Sequence, residues 1–348
     1  MTSEGSSLRL AIFGVVILSL FSSLFARLWY LQMIDSEDFV RAAESNQVKL
    51  VFEEAPRGRV LDRHGRVLVD NRLSEVVTVD KAVIVEHPDV IDRLAAVLNL
   101  APAELQSRMD DVRYSGVGPV AVAEDIPEAT IVFLREHRDE FPGVEERKLS
   151  RRTYPNGALA AHVLGYVGEV NQGELGTRRV CSLELLGRVS AGEVDCYLAG
   201  DSIGKTGVEQ AYESELRGQP SVTKLEVDSR GRVVRSLGTR EPVNGHDVQL
   251  TLDLDLQRLT EESLSKALER ARNDVDREEK KHFRAPAGSA VVLDPRDGGV
   301  IAMASYPSYD PAEFVNGISR DRFQQLQDPA NHFPLNNRAV QGQYAPGS

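Results

Sequence analysis

Positive charge is the first thing this sequence is short of. Lysine and arginine number 41 against 53 aspartates and glutamates, a formal net charge of -12 with a pI near 5.2. A nucleic-acid binder needs a basic face to release counterions from phosphates, so the balance argues against that class. Cysteine is almost absent, with Cys181 and Cys196 alone. No His or Cys pair near them has ligand spacing, which argues against a metal site. A third absence lies at 199. A phosphate loop reads G-x-x-x-x-G-K-[ST], and counting back from Gly204-Lys205-Thr206 its first glycine falls on Ala199. The preceding VDCYLAG is also a poor buried strand. No nucleotide, cofactor or metal is expected.

Charge is missing altogether from Leu10 to Ala26, where Ser19, Ser22 and Ser23 are the polar side chains. Continued by LWYLQM, the run is about long enough to cross a hydrocarbon core of roughly 30 Å. Arg9 flanks one end, Trp29 and Tyr30 suit the opposite interface, and Arg27 can snorkel outward. A cleaved signal peptide would want a shorter core and a small-x-small site, and Phe25-Ala26-Arg27-Leu28 offers none. The expectation is an uncleaved single-pass anchor in the inner or plasma membrane. Its N-terminus is cytoplasmic and the bulk of the chain lies outside. In that compartment Cys181 and Cys196 can form one disulfide; two free thiols are the alternative.

A length of 348 residues is enough for two or three domains. After the anchor, Asp35 to Asn46 reads as a helical stalk. Three β-rich hairpins follow, turning at Arg63-His64-Gly65, Ser229-Arg230-Gly231 and Asp297-Gly298-Gly299. Helices are expected between them. HPDVIDRLAAVLNL has apolar residues at Val90, Ile91, Leu94, Val97 and Leu98, and ATIVFLREHRDEF starts behind Pro127. The longest follows Asp253 or Asp255 as cap, with a stripe at Leu256, Leu259, Leu264, Leu268 and Ala271. Strands and helices in separate blocks indicate an α+β fold. Asn244-Gly245 marks a candidate domain boundary.

Three blocks carry a wider signal. The first is Arg57-Gly58-Arg59-Val60-Leu61-Asp62-Arg63-His64-Gly65. The second is Arg152-Thr153-Tyr154-Pro155 followed by HVLGYVG, which contains Gly165 and Gly168. The third is Gly204-Lys205-Thr206-Gly207-Val208-Glu209. In this order, behind an anchor, they resemble the pedestal blocks of the class B penicillin-binding proteins, most of all the penicillin-binding protein 2 type of cell elongation. SAVVLDPRDGGVIAMASYPSYDPAEF then resembles the opening of that family's transpeptidase domain. Asn337-Arg338-Ala339 and Tyr344-Ala345-Pro346-Gly347-Ser348 resemble the approach to its catalytic serine. Lys205-Thr206-Gly207 also spells a motif of penicillin-binding enzymes. That motif follows the nucleophile on a strand, whereas this one precedes every candidate and runs into a helical pattern, so the letters coincide by chance. Residues 178–201 do not fit the family pattern.

The resemblance implies a cytoplasmic tail (1–9), an anchor (10–31), a dimerisation or pedestal domain (32–245) and the N-terminal part of an α/β transpeptidase domain (246–348). It implies that Glu209 pairs with an arginine of another block. It implies a serine D,D-transpeptidase with Ser348 as acyl nucleophile, peptidoglycan stem peptides as substrate and β-lactams as acylating inhibitors. A polytopic glycan polymerase and other elongation-complex proteins are the implied partners. The lysine expected three positions beyond Ser348 is not among these residues, so a product ending there is expected to be inactive, because a serine hydroxyl is a weak nucleophile without a base. Two other readings stay open: a catalytically dead anchored scaffold for cell-wall synthases, and a division-type rather than elongation-type role.

Overall fold

The computed structural model describes residues 4–33, 48–110, 119–177, 196–198, 200–228, 233–277 and 280–343. The stalk at 35–46, the turn at 229–231, Cys181 and Ser348 lie outside the described residues. The chain divides into two compact units.

The first unit, residues 1–50 with 224–237, is built on helix α1 (Glu4–Met33). Its stretch Ile12–Tyr30 has a mean hydropathy of 1.9 over 19 residues, and those side chains are exposed. At 1.5 Å per residue they rise roughly 28 Å, long and apolar enough to cross a membrane. Three strands, β1 (Val48–Glu53), β8 (Ser221–Val227) and β9 (Val233–Arg240), pair in the order β1-β8-β9 and contribute residues to both units.

The second unit, residues 51–223 with 238–348, is organised by one long strand. Strand β2 (Val60–Leu61) turns back into β3 (Val67–Val79), with Val60 opposite Val69. Gly65 takes the positive φ of 79° that this turn needs. The far half of β3 pairs antiparallel with β4 (Val120–Glu124). Its other edge pairs with β5 (Val144–Thr153), from Asp70 opposite Thr153 to Val79 opposite Val144. Helices α2 (Asp89–Leu98), α3 (Pro102–Met109) and α4 (Glu128–Glu136) complete this end. They bury Val90, Leu94, Leu105, Ile131 and Leu134 with Val77, Val79 and Val122 of the sheet. Pro127 stands at the N-cap of α4.

Short elements crowd the other end of β3. They are α5 (Ala161–Leu164), β6 (Val167–Glu169), β7 (Ser202–Gly204), α6 (Gly207–Ala211) and α7 (Glu213–Leu216). Strand β10 (Val248–Gln249) adds in parallel to β2. Helix α8 (Leu254–Asn273) follows, its N-terminus capped by Asp253, whose carboxylate accepts from the Asp255 and Leu256 amides. The third hairpin is β11 (Gly288–Leu293) against β12 (Val300–Tyr306). Helices α9 (Arg320–Gln327) and α10 (Arg338–Gln341) close the described chain.

The stripe expected on α8 needs correction. Leu256 and Leu259 are exposed, and the buried residue of the first turns is Gln257. Its amide donates to the Met303 carbonyl and accepts from the Met303 amide, both at 2.8 Å. An edge strand's open backbone groups need partners more than they need leucine. Leu264 and Leu268 do face the hairpin, where they approach Gly288.

Candidate functional site

The three blocks converge on one buried cluster of charges. Arg57 sits between β1 and β2, Arg152 near the end of β5, and Glu209 in the first turn of α6. Arg57 Nη2 donates to Glu209 Oε2 at 2.9 Å, and Arg152 Nε donates to Glu209 Oε1 at 2.7 Å. Both carboxylate oxygens of Glu209 are therefore engaged, each by a different block. Its side chain is 0% exposed, and that of Arg152 is 2% exposed. Burying such groups is tolerated only when the charges are paired and hydrogen-bonded.

Other donors find partners as well, although Arg57 Nε and Arg152 Nη2 are buried without one. Arg152 Nη1 reaches the Gly58 carbonyl at 2.7 Å and Asn71 Oδ1 at 3.1 Å, while Asn71 Nδ2 donates to the Arg57 carbonyl at 2.6 Å. A second carboxylate completes the set. Glu213 accepts from Arg57 Nη2 at 2.7 Å, the Gly204 amide at 2.9 Å and the Tyr197 hydroxyl at 3.2 Å. Burial lowers the Arg57 pKa, but the charges of Glu209 and Glu213 outweigh it and hold the guanidinium above its ordinary value. Tyr154, buried beside them, has its hydroxyl pKa pushed up by burial and then by the charge of Glu209.

Glu213 escaped the sequence reading. The signal was its place four residues after Glu209 in VEQAYESEL, where helical spacing turns both side chains to one side. Arg59 and Arg63 do not join the cluster. Arg59 pairs with Asp247 at 2.7 Å in the open, and the Arg63 amide donates to the Leu252 carbonyl at 2.8 Å. Asp62 is buried and organises its own turn, accepting from the His64 and Arg66 amides and from Arg66 Nε. Arg66, outside the quoted block, continues to Asp255 at 2.7 Å.

Glycines allow the blocks to touch. Gly165 has φ +76° and Gly207 φ +60°. A methyl group on Gly165 would overlap the Thr206 carbonyl, and one on Gly204 the Glu209 carbonyl. Gly58 is as tightly placed against the His246 carbonyl, while Gly168 has Lys205 as its nearest neighbour. Pro155 follows Tyr154 into the turn before α5. The cavity beside Arg57 and Arg152 holds about 30 Å³, room for a water rather than a substrate. Buried and charge-paired, beside a cavity with room for little more than a water, this cluster fixes geometry.

The segment that approaches Ser348 is described as far as 343; Tyr344 to Ser348 lie outside the described residues. Asn337 accepts from the Ser305 hydroxyl at 3.3 Å, and the Ala339 amide donates to that hydroxyl at 3.4 Å. Arg338 is buried and spends its guanidinium on the carbonyls of His332, Phe333 and Asn336. Cys196 is buried and disulfide-bonded, while its candidate partner Cys181 lies outside the described residues. Among the described residues no three His, Cys, Asp or Glu side chains gather to hold a metal ion.

Residues 52–250 match the Penicillin-binding Protein dimerisation domain, and residues 288–348 match the Penicillin binding protein transpeptidase domain. The chain is 33% identical over 338 residues to the peptidoglycan D,D-transpeptidase MrdA of Acinetobacter baumannii, covering 96% of this chain and 45% of that protein. It is 34% identical over 340 residues to MrdA of Escherichia coli K12, covering 97% and 48%. The chain thus spans about half the length of the curated relatives it matches. Among solved structures it resembles the Helicobacter pylori complex of penicillin-binding protein 2 with MreC, at a TM-score of 0.60 and 26% identity over 84% of this chain and 48% of that one. A chain from a peptidoglycan synthase complex, described for its coordination of polymerization and crosslinking, aligns at a TM-score of 0.53 and 31% identity over 97% and 52%.

Proposed function

The chain belongs to the penicillin-binding proteins of the penicillin-binding protein 2 type, with a dimerisation domain ahead of a transpeptidase domain. From that premise we propose that it is the membrane-anchored N-terminal portion of a serine D,D-transpeptidase that cross-links peptidoglycan stem peptides. The observation that carries the reading is the order of two family domains on one chain, with Ser348 at the end of the second match. Ser348 is the acyl nucleophile. It attacks the stem-peptide carbonyl, forms an ester and releases the terminal residue, and a β-lactam acylates the same hydroxyl. The pedestal is locked by Glu209, Arg57 and Arg152, and α1 is the membrane anchor of the chain. Related chains are described in a peptidoglycan synthase complex and with MreC, which supports a glycan polymerase and other elongation-complex proteins as partners.

A fluorescent β-lactam tests the reading. The protein carried through its complete transpeptidase domain should be labelled, and Ser348→Ala should abolish the label. A product ending at Ser348 should stay dark, because removing the base is typically worth about 10²–10⁴-fold. If the longer protein is dark as well, the scaffold reading replaces this one. A reporter active only in the cytoplasm, fused after the pedestal, should give no signal; strong activity there would reverse the proposed orientation.

A further inference from the structure

Pedestal block two reaches directly into the segment that leads to Ser348. His162 lies in α5, and its ring is buried, 8% exposed. Its Nε2 is 2.7 Å from the Pro334 carbonyl oxygen. A carbonyl can only accept, so Nε2 carries the hydrogen and donates. The backbone of the same residue acts in the other direction: Asn337 Nδ2 donates to the His162 carbonyl at 3.2 Å. One histidine thus grips the segment at two points, three residues apart. Beyond them the Gln341 amide donates to the Asn337 carbonyl at 2.8 Å, opening α10, the last helix among the described residues.

Adhesion between these parts has a separate source. Tyr166 stacks on Phe314 at 3.7 Å, and Ala161, Tyr309, Phe314 and Leu326 form a shared apolar cluster. Leucine or phenylalanine at 162 would serve such a cluster better, because an imidazole loses hydration on burial. What a histidine adds is direction. Its ring is fixed edge-to-face against Tyr309 at 5.2 Å, and the Tyr309 hydroxyl donates to the Ala161 carbonyl at 3.1 Å. Burial, with the charge of Arg338, holds its pKa below the ordinary value, so it stays a neutral single donor.

We infer that His162 is a positioning residue for acylation: through the Pro334 carbonyl and Asn337 it fixes the described approach, 334–343, that precedes Ser348. The inference rests on the proposed role of Ser348 as nucleophile. Rate and affinity then separate. A misdirected nucleophile slows the bond-forming step, and displacement by about 1 Å can cost on the order of 100-fold, while β-lactam binding itself changes little.

The test measures acylation by a fluorescent β-lactam in the protein carried through its complete transpeptidase domain, resolved into a maximal rate and a half-saturating concentration. His162→Phe keeps the ring and removes the donor. It should lower the maximal rate about 10-fold or more and leave the half-saturating concentration within about twofold. His162→Gln restores an N–H of similar reach and should return the rate to within about threefold. A wild-type rate in His162→Phe, a loss of melting temperature with no loss of rate, or a glutamine variant as slow as phenylalanine overturns the inference. If His162→Phe does not fold, Asn337→Ala should show the same fall in rate, and an unchanged rate there overturns it equally. A label that persists in Ser348→Ala sinks the reading of Ser348 and this inference with it. A label lost in Ser348→Ala but acquired normally by His162→Phe sinks this inference alone.

Discussion

Replacing Glu209 by glutamine changes one oxygen to an amide nitrogen and removes one charge. The wild-type carboxylate takes Arg57 Nη2 at 2.9 Å and Arg152 Nε at 2.7 Å, one on each oxygen. A glutamine can accept at one of these positions. At the other it presents N–H groups to a guanidinium that also presents N–H groups. Two positive side chains then share a site with 0% exposure at residue 209, and Glu213 alone balances them. Breaking a buried pair in this way costs about 3–5 kcal/mol. For a unit of this size that is a fall of about 6–20 °C in melting temperature. A control isolates burial from distance. Arg322 and Glu313 are 2.6 Å apart but 45% and 30% exposed, so Glu313→Gln should cost no more than about 1 kcal/mol. Thermal and urea unfolding of both variants in detergent decide the matter. Equal losses, or a Glu209→Gln loss below about 1 kcal/mol, would refute the claim that this cluster locks the pedestal.

Gly165→Ala combines a positive φ with overlap against the Thr206 carbonyl, and should lose about 2–5 kcal/mol. Gly65→Ala has a similar φ of +79° but open space, and should lose only about 1–2 kcal/mol; equal melting temperatures would contradict the packing argument. Asp201 is pushed up to about 6 by burial and then by the charge of Glu54, against the Leu198 amide and Arg217. Its folded value lies above the unfolded one, so its penalty is full above pH 6 and gone below about pH 4. Stability at this site therefore rises as pH falls through that window, on the order of 3 kcal/mol. Asp201→Asn should remove this part of the pH dependence of urea unfolding between pH 4 and 6; an unchanged slope would exclude Asp201 as its source.

Local signals in the sequence were readable and distant ones were not. The turn at Gly65, the start of α4 behind Pro127 and the buried Val90 and Leu94 each follow from a few adjacent residues. Asp253 was one of two candidates for the α8 cap, and the geometry selects it. The length of β3 was out of reach, because its pairing with β5 joins Asp70 to Thr153 across a long stretch of chain. The partner of Asp62 was missed for a different reason. Arg59, Arg63 and Arg66 are alike in sequence, and only the bend of the chain decides that Arg66 meets the buried carboxylate. Gln257 is hidden by the opposite bias: a stripe of leucines suggests the buried face of α8, and a backbone-binding amide holds that place instead.

The stretch around Gly204-Lys205-Thr206 shows how the same letters can serve opposite ends. In a phosphate loop the backbone amides stay open and the lysine reaches an anion. Here the Gly204 amide donates to Glu213 at 2.9 Å and the Lys205 amide to the Tyr166 carbonyl at 2.9 Å. Lys205 Nζ ends on Glu174 at 2.6 Å. The protein's own groups occupy the donors a phosphate would need. The glycines serve contact instead: Gly204 lies against the Glu209 carbonyl and Gly207 against the Val163 carbonyl, too close for any side chain. That contact brings Glu209 under Arg57 and Arg152, and it brings α6 against α5, whose His162 meets the chain that runs to Ser348. A turn built without side chains is thus what lets the buried charges and the approach to Ser348 belong to one packed unit.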